Sequence, residues 1–508
     1  MAFSTTHRNL LANAAGTGWN ILSVYAFIPF YLQFLGEESY GLIMFASSIQ
    51  SVIMLTDVGL TAVLRRNLSW GKHSIEKEAK DFSLLRSIES LYGAIFLAVG
   101  LLVLVTSTWV ATSWLRPEST STTEIKWAFV LMVAIAFAQM QSSLYNGSLM
   151  AMHRQVTANL LQFLYTLARN GLVVLVISWY PSATAFLAWQ LAVTVIYANF
   201  QRSILFKHFS ISARAHAKAI DLRLLRDHWK VSGLFLSVSV LSTINLQVDK
   251  FVVTSILSLS SLGYYNTAYA LGQALVAITR PIAAALSPTL INAYSVGEKD
   301  SMSAMFHSYA YLTNLATSAL GVTICLNSYE ILVCWTGNED FASHASSPAA
   351  LMSIAGIFLA AQVLPYTLAV ASADLRPILI TCLLNIALTI PGYYLMGTYH
   401  GMVGCALVWL ISNVAMMFIN VYFYMRKTLP NEYGKWILLD FTIPCVMATT
   451  TAYMLSSIRL RSDRVWVEVL SVGSVFIAAT TLPLLLFFIQ RSLRLSHKQR
   501  LSSIYDQS

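Results

Sequence analysis

Long apolar stretches alternate with short polar ones along the whole chain. Fourteen apolar runs can be counted, the first six centred near Ser23, Val52, Phe96, Ala138, Leu167 and Val195. Runs seven and eight fill residues 231 to 291, and the rest centre near Leu315, Leu359, Leu388, Asn413, Met447 and Ile477. A helix needs roughly 20 apolar residues to cross a bilayer. The pattern therefore predicts an all-α polytopic membrane protein with about 14 transmembrane helices. The first run, roughly 11 to 34, is longer than a signal-peptide core and lacks a small-residue cleavage site, so it is expected to remain as a span.

Polar residues within the runs are periodic. In run seven, Ser232, Ser239, Ser242, Asn245 and Asp249 are spaced by 7, 3, 3 and 4, one helical face. In run eight, Asn266, Gln273 and Arg280 recur every seven residues, and Gly263-Tyr264-Tyr265 is expected to turn one run into the next. Run two carries Ser47, Gln50, Met54, Asp57 and Thr61 on one face; run one carries Asn13, Gly16, Asn20 and Ser23. Small polar residues also join membrane helices to each other, so such stripes do not by themselves define a cavity.

Charges inside the runs are more telling. A charge at the centre of a membrane helix costs roughly 3 kcal/mol on insertion scales, and such residues usually face a bundle interior or a wet cavity. The chain places Arg169, Asp249, Lys250 and Arg280 at such depth. Two readings stand for Asp249 and Lys250: they neutralise each other and staple the bundle, or they line a cavity. Arg280 has no acid within a helical turn. Asp57 either faces a cavity or pairs with Arg65 or Arg66 at the end of its run.

Composition agrees with membrane embedding. Of 508 residues, 56 % are hydrophobic and 11 % charged, with mean hydropathy +0.63. No soluble domain has this balance. With the N-terminus in the cytoplasm, 24 Lys and Arg fall on the inner side and 5 on the outer, with 3 inside spans. That bias predicts both termini inside; the basic stretch 459 to 464, between the last two runs, is its one discord. The net charge of +9 thus reflects topology, and no nucleic-acid partner is expected. Tryptophans at run ends, among them Trp109, Trp127, Trp179 and Trp436, suggest an interfacial belt. The five cysteines read as small apolar residues. No nucleophile–base pair, metal-ligand cluster or phosphate-cradling loop stands out, so neither an enzyme nor a cofactor is expected. The longest outer loops, roughly 111 to 126 and 336 to 347, are too short for a folded domain. The basic inner stretch 206 to 230 reads as a surface helix linking two halves.

The halves look related. Setting Gly41 on Gly263 gives an offset of 222, which carries the starts of runs three, four and five near 84, 127 and 156 onto those of runs nine, ten and eleven near 306, 349 and 378. Arg154 lands on Arg376, and Asp57 falls one residue from Arg280. Six spans per copy keep the second copy in the orientation of the first, a parallel repeat. The expected organisation is an N-terminal six-helix lobe over 1–205, a cytoplasmic linker over 206–230, a pseudo-symmetric six-helix lobe over 231–425, an additional helix pair over 426–490 and a tail over 491–508.

Several local patterns now resemble one family. They are Phe34-Leu35-Gly36 with Tyr40-Gly41, Asp57-Val58-Gly59-Leu60 before an Arg-Arg pair, and Val248-Asp249-Lys250-Phe251 followed by Leu262-Gly263-Tyr264-Tyr265 and the Pro281 to Pro288 segment. The chain resembles the polysaccharide-transporter branch of the multidrug/oligosaccharidyl-lipid/polysaccharide (MOP, MATE-like) flippase superfamily, with Wzx-type O-antigen and exopolysaccharide flippases as its nearest relatives in style. The resemblance spans residues 8 to 425. It implies a two-lobe transporter of the bacterial cytoplasmic membrane that moves undecaprenyl-diphosphate-linked oligosaccharides from the inner to the outer leaflet. It also implies a cationic lumen, for which Arg280, Lys250 and Arg169 are the candidates. Coupling to H+ or Na+ would give Asp57 or Asp249 a role, with Asn245, Gln273 and Asn20 as further polar lumen residues. Polysaccharide polymerase and chain-length proteins are the implied partners. Lipid II flippases of the superfamily carry arginines in the first span and drug exporters often an acid there; residues 11 to 34 hold neither. The alternative is a cation-coupled small-molecule exporter of the same fold. A membrane polymerase or ligase is disfavoured by the short outer loops.

Overall fold

The computed structural model describes residues 18–19, 22–23, 25–54, 60–69, 74–115, 117–152, 154–218, 220–221, 240–372, 376–458 and 471–481. Every regular element among them is a helix. This is what lipid demands, since a helix satisfies its own backbone hydrogen bonds. Nine of these helices are long and apolar enough to span a membrane: Ile75–Trp114, Thr122–Ala151, Gln155–Trp179, Ala183–Phe206, Leu259–Val296, Lys299–Leu326, Glu339–Ala371, Ile378–Met425 and Tyr433–Ser457. They correspond to runs three to six, eight to ten, eleven and twelve together, and thirteen. A shorter apolar helix, Ser471–Thr481, lies in run fourteen.

Two sharp breaks at glycine explain why helices and runs do not pair one to one. The helix Ile28–Ile53 holds the end of run one and most of run two, broken at Gly36 with φ 74°. Runs eleven and twelve meet at Gly401 with φ 58°. Both angles lie in the left-handed region that glycine enters without a side-chain clash. Elsewhere helices start on side-chain caps. Ser74, Ser121, Ser182 and Asn338 accept the N–H of Lys77, Glu124, Ala185 and Phe341.

Three expectations are corrected. The reversal between runs seven and eight lies at Leu257–Ser258, and Gly263-Tyr264-Tyr265 is helical. Ser258 accepts the Ser261 N–H at 3.3 Å and so starts the helix earlier than the glycine suggested. Gly263 instead serves a close helix crossing. A methyl at Gly263 would stand 3.0 Å from the Glu37 carbonyl oxygen, and one at Gly41 only 1.9 Å from that of Leu259. The contact is reciprocal, because Glu37 and Leu259 each lie four residues before the partner glycine. The stretch 336 to 347 is mostly helix, because Asn338 caps a helix beginning at Glu339. Trp436 is fully buried, whereas Trp109, Trp127 and Trp179 are exposed. In the 206 to 230 stretch the described residues hold one short helix, Ile211–His216.

The chain divides into two compact units, Met1–Asn266 with Ile386–Thr398, and Thr267–Asn385 with Tyr399–Ser508. The first has a core of Leu64, Leu85, Ile88, Tyr92, Leu144 and Leu205. The second buries Phe306, Leu315, Phe341, Met352, Leu368 and Trp436.

Candidate functional site

Arg169 lies where run five departs from α-helical geometry. Residues Leu167–Gly171 form a π-helical turn, in which the Leu172 N–H reaches back to the Leu167 carbonyl at 3.1 Å. Such widened turns free carbonyls and often mark functional positions. Here the Ala168 carbonyl accepts Trp189 Nε1 at 2.9 Å, and the Asn170 carbonyl accepts the Tyr31 hydroxyl at 2.6 Å. Asn170 Nδ2 donates to Ser23 Oγ at 3.3 Å. The bulge is thus held from run six on one side and run one on the other.

A polar and aromatic layer surrounds the guanidinium. Arg169 Nη2 donates to Gln190 Oε1 at 2.9 Å, and its carbon stands 5.9 Å from the Tyr165 ring centre. Tyr165 stacks on Tyr197 at 4.2 Å, with its hydroxyl 3.1 Å from Thr194 Oγ1. Tyr197 donates to Gln162 Oε1 at 2.9 Å. Arg169 Nε is buried with no hydrogen-bond partner. Among the described residues no acid pairs with this arginine. A guanidinium offers five N–H donors in a planar fork that matches a phosphate. Arg169 is therefore a fixed cation at membrane depth with donors to spare.

Asp249 and Lys250 are buried at 2 % and 4 % exposure and touch each other, Nζ to Oδ1, at 3.4 Å. Lys250 Nζ also donates to the Leu246 carbonyl at 2.9 Å, and the Tyr265 hydroxyl donates to Asp249 Oδ2 at 3.0 Å. The neutralising arrangement is thus the one present. Asn245, one turn earlier, is half-buried. These residues and Arg169 belong to the first unit; Arg280 and Gln273 belong to the second. Arg280 is exposed, with no ion pair among the described residues, and directly precedes Pro281 inside the helix. Gln273 donates to the Tyr269 hydroxyl at 2.9 Å, and Tyr269 packs on Trp409 with ring centres 5.2 Å apart. Asp57 and Asn20 lie outside the described residues.

Three charged clusters escaped the sequence reading. Glu89 accepts from Arg86 at 2.7 Å, Arg202 at 2.8 Å and Tyr145 at 2.6 Å, tying runs three, four and six. Glu38 accepts the N–H groups of Glu118, Ser119 and Thr120 and the Ser119 hydroxyl. Burial pushes its carboxyl up, but these hydrogen bonds prevail and hold it below the usual carboxylate range. His307 sits between Asp440 and Glu432. The Arg169 layer did leave a signal: Gln190, Thr194, Tyr197 and Gln201 repeat at helical spacing in run six, and all four are buried.

The fold has relatives among solved structures. The lipid II flippase MurJ in an inward closed conformation aligns with TM-score 0.68 at 14 % identity, over 93 % of this chain and 98 % of that one. An inward-facing multidrug resistance MATE family transporter of the MOP superfamily aligns with TM-score 0.65 at 13 % identity, over 82 % of this chain and 96 % of that one. The Vibrio cholerae MATE transporter VcmN in its bent form aligns with TM-score 0.54 at 14 % identity, over 85 % and 100 %. At such identities the likeness is one of fold. No curated protein matches the chain in sequence. The chain is a multi-pass membrane protein that shares the fold of these transporters. Residues 7–294, more than half of its length, match one family, and the chain is accordingly a member of the polysaccharide biosynthesis protein family.

Proposed function

We propose that this protein is a flippase for polyprenyl-diphosphate-linked oligosaccharide repeat units. It moves them from the inner to the outer leaflet of the bacterial cytoplasmic membrane, for O-antigen, capsule or exopolysaccharide synthesis. The observation that carries this reading is Arg169 on its π-helical turn, with unused donors and a wall of Tyr165, Tyr197, Gln162 and Gln190. A diphosphate with several sugars cannot cross hydrocarbon, because its charge and hydroxyls would lose hydration. An arginine can hold the diphosphate bidentately, while tyrosines and amides offer sugars stacking and hydrogen bonds. Membership of a polysaccharide biosynthesis family fits a sugar-bearing cargo.

On this reading Arg280 is a second cation of the path, and Lys250 acts there only when its pairing with Asp249 opens. Asn245 and Gln273 line the polar route, Asn20 and Asp57 are further candidates named by the sequence alone, and H+ or Na+ drives alternating access. Two six-helix lobes in parallel repeat, with a C-terminal helix pair outside it, make about 14 spans. Two observations support the repeat. The helix starts Ile75, Thr122 and Gln155 recur at Lys299, Glu339 and Arg376, within about five residues of the 222 offset. The reciprocal contact of Gly41 and Gly263 is what a two-fold axis between equivalent residues produces. Polymerase and chain-length proteins would take the product outside.

The test is a cell lacking the protein. Lipid-linked repeat units should accumulate on the inner leaflet and surface polysaccharide should disappear. The wild-type chain should reverse both, and Arg169→Ala or Arg280→Ala, inserted at normal levels, should slow the flux at least about tenfold, the loss of one charged hydrogen bond. Normal surface polysaccharide with altered sensitivity to small toxic cations would replace this reading by the exporter.

A further inference from the structure

His307, in the third turn of the helix Lys299–Leu326, has a carboxylate on each ring nitrogen. Nδ1 meets Asp440 Oδ2, and Nε2 meets Glu432 Oε2 at 2.5 Å. Asp440 comes from the π-helical turn Trp436–Thr442 that opens run thirteen; Glu432 comes from the connector just before it. Protons can be counted on this geometry. An ionised carboxylate only accepts, and a neutral imidazole donates from one nitrogen alone. Both contacts are hydrogen bonds only when two protons occupy the two lines. With neutral histidine and two ionised carboxylates, one line sets lone pair against lone pair. Water screens that repulsion poorly at a buried site. The closed cluster therefore contains one proton more than its open form.

The two carboxylates are not equally held. Asp440 is buried, and its backbone carbonyl accepts Asn314 Nδ2 at 2.9 Å. Trp436, four residues earlier, is fully buried and stacks on Phe441. Glu432 is the more exposed arm: its side chain is 28 % exposed, accepts the Ser303 hydroxyl at 2.6 Å and stands 3.6 Å from Lys435 Nζ. Among the described residues Lys435 is the other charged side chain paired with the cluster. Lys299 and Asp300 lie about two turns before His307 on the same helix. Glu339, Asp340 and His344 lie in the first two turns of run ten, where His344 pairs with Asp340 at 3.8 Å, and Glu330 lies beyond the far end of run nine.

We propose that His307, Asp440 and Glu432 form a proton-binding site that latches the connector between runs twelve and thirteen onto run nine, closed with the proton bound and open without it. The ligand is a single proton, and Glu432 is the group that swings away on its release. The site stands whatever the transported substrate is.

The experiment uses the purified full-length protein in lipid nanodiscs and follows its thermal midpoint from about pH 6, just below the ordinary histidine pKa, to about pH 9. The closed form binds a proton that the unfolded chain releases. Stability is therefore present at the acid end and lost as the pH rises. In Asp440→Asn and in Glu432→Gln the amide donates to the ring, so both contacts form with neutral imidazole and no extra proton. The wild-type midpoint should fall by about 2 °C or more relative to either variant across the window. Hydrogen exchange in 426–436, corrected for its intrinsic pH dependence, should accelerate at least about tenfold in the wild type, one proton per pH unit, and not in the variants. Parallel midpoint profiles and unchanged relative exchange would overturn the site. Should Asp440→Asn not fold, Glu432→Gln on the half-exposed arm decides alone.

Discussion

At the scale of single residues, burial with a partner separates two kinds of membrane charge. Lys250 and Asp249 are enclosed and satisfy each other, whereas Arg169 has an amide partner and a bare donor. Removing half of a buried pair strands the other charge, at a cost of about 3–5 kcal/mol, while replacing both by neutral groups of similar shape is close to neutral. Lys250→Ala should therefore lower the yield of folded protein sharply. Lys250→Met with Asp249→Asn should restore it, as detergent-extracted monodisperse protein would report. Equal yields for the single and double variants would show that the pair does not hold the helix. The sequence marked all of these as charges at depth; it could not say which were paired, because pairing depends on how each helix is rotated.

Elements are positioned by local breaks in helical regularity. Gly36 and Gly401 break the helix between adjacent runs through a positive φ, and π-helical turns at Leu167–Gly171 and Trp436–Thr442 re-aim Arg169 and Asp440. A π turn is invisible to hydropathy, since one more residue in a turn leaves the apolar composition unchanged. The sequence matched Gly41 with Gly263 only as aligned positions; the tightness of their crossing was not legible. Because backbone oxygens rather than flexible side chains face both positions, neither can accept a methyl without separating the helices. Gly41→Ala, the closer approach, should cost about 1–3 kcal/mol and exceed Gly263→Ala. Thermal midpoints that rank the other way, or that match wild type, would show a looser crossing.

For the whole molecule, lysine and arginine counts predict an orientation before any packing is considered. Both termini are expected on the side of Arg154, Arg202 and Arg426, with Glu38 and the 117–121 loop on the other. Single-cysteine labelling of intact cells in a cysteine-free background checks this. A probe at Ser119 should react with an impermeant reagent, and one at Ser210 only after permeabilisation. The reverse pattern would invert the topology and with it the direction assigned to transport.

The sequence by itself determined the membrane embedding, the helical class and most run positions, and its local motifs pointed to the family. The first three follow from local composition, because hydrocarbon forces every crossing segment to be apolar and to satisfy its own backbone. Only the tertiary structure decided which polar residues meet. It set Arg169 against Gln190, closed Lys250 on Asp249, and brought His307 between Asp440 and Glu432 from over a hundred residues away. Each residue added to a helix turns the next side chain by about 100°, so a bulge or a shifted start redirects a whole face. That rotation arises from packing between distant runs.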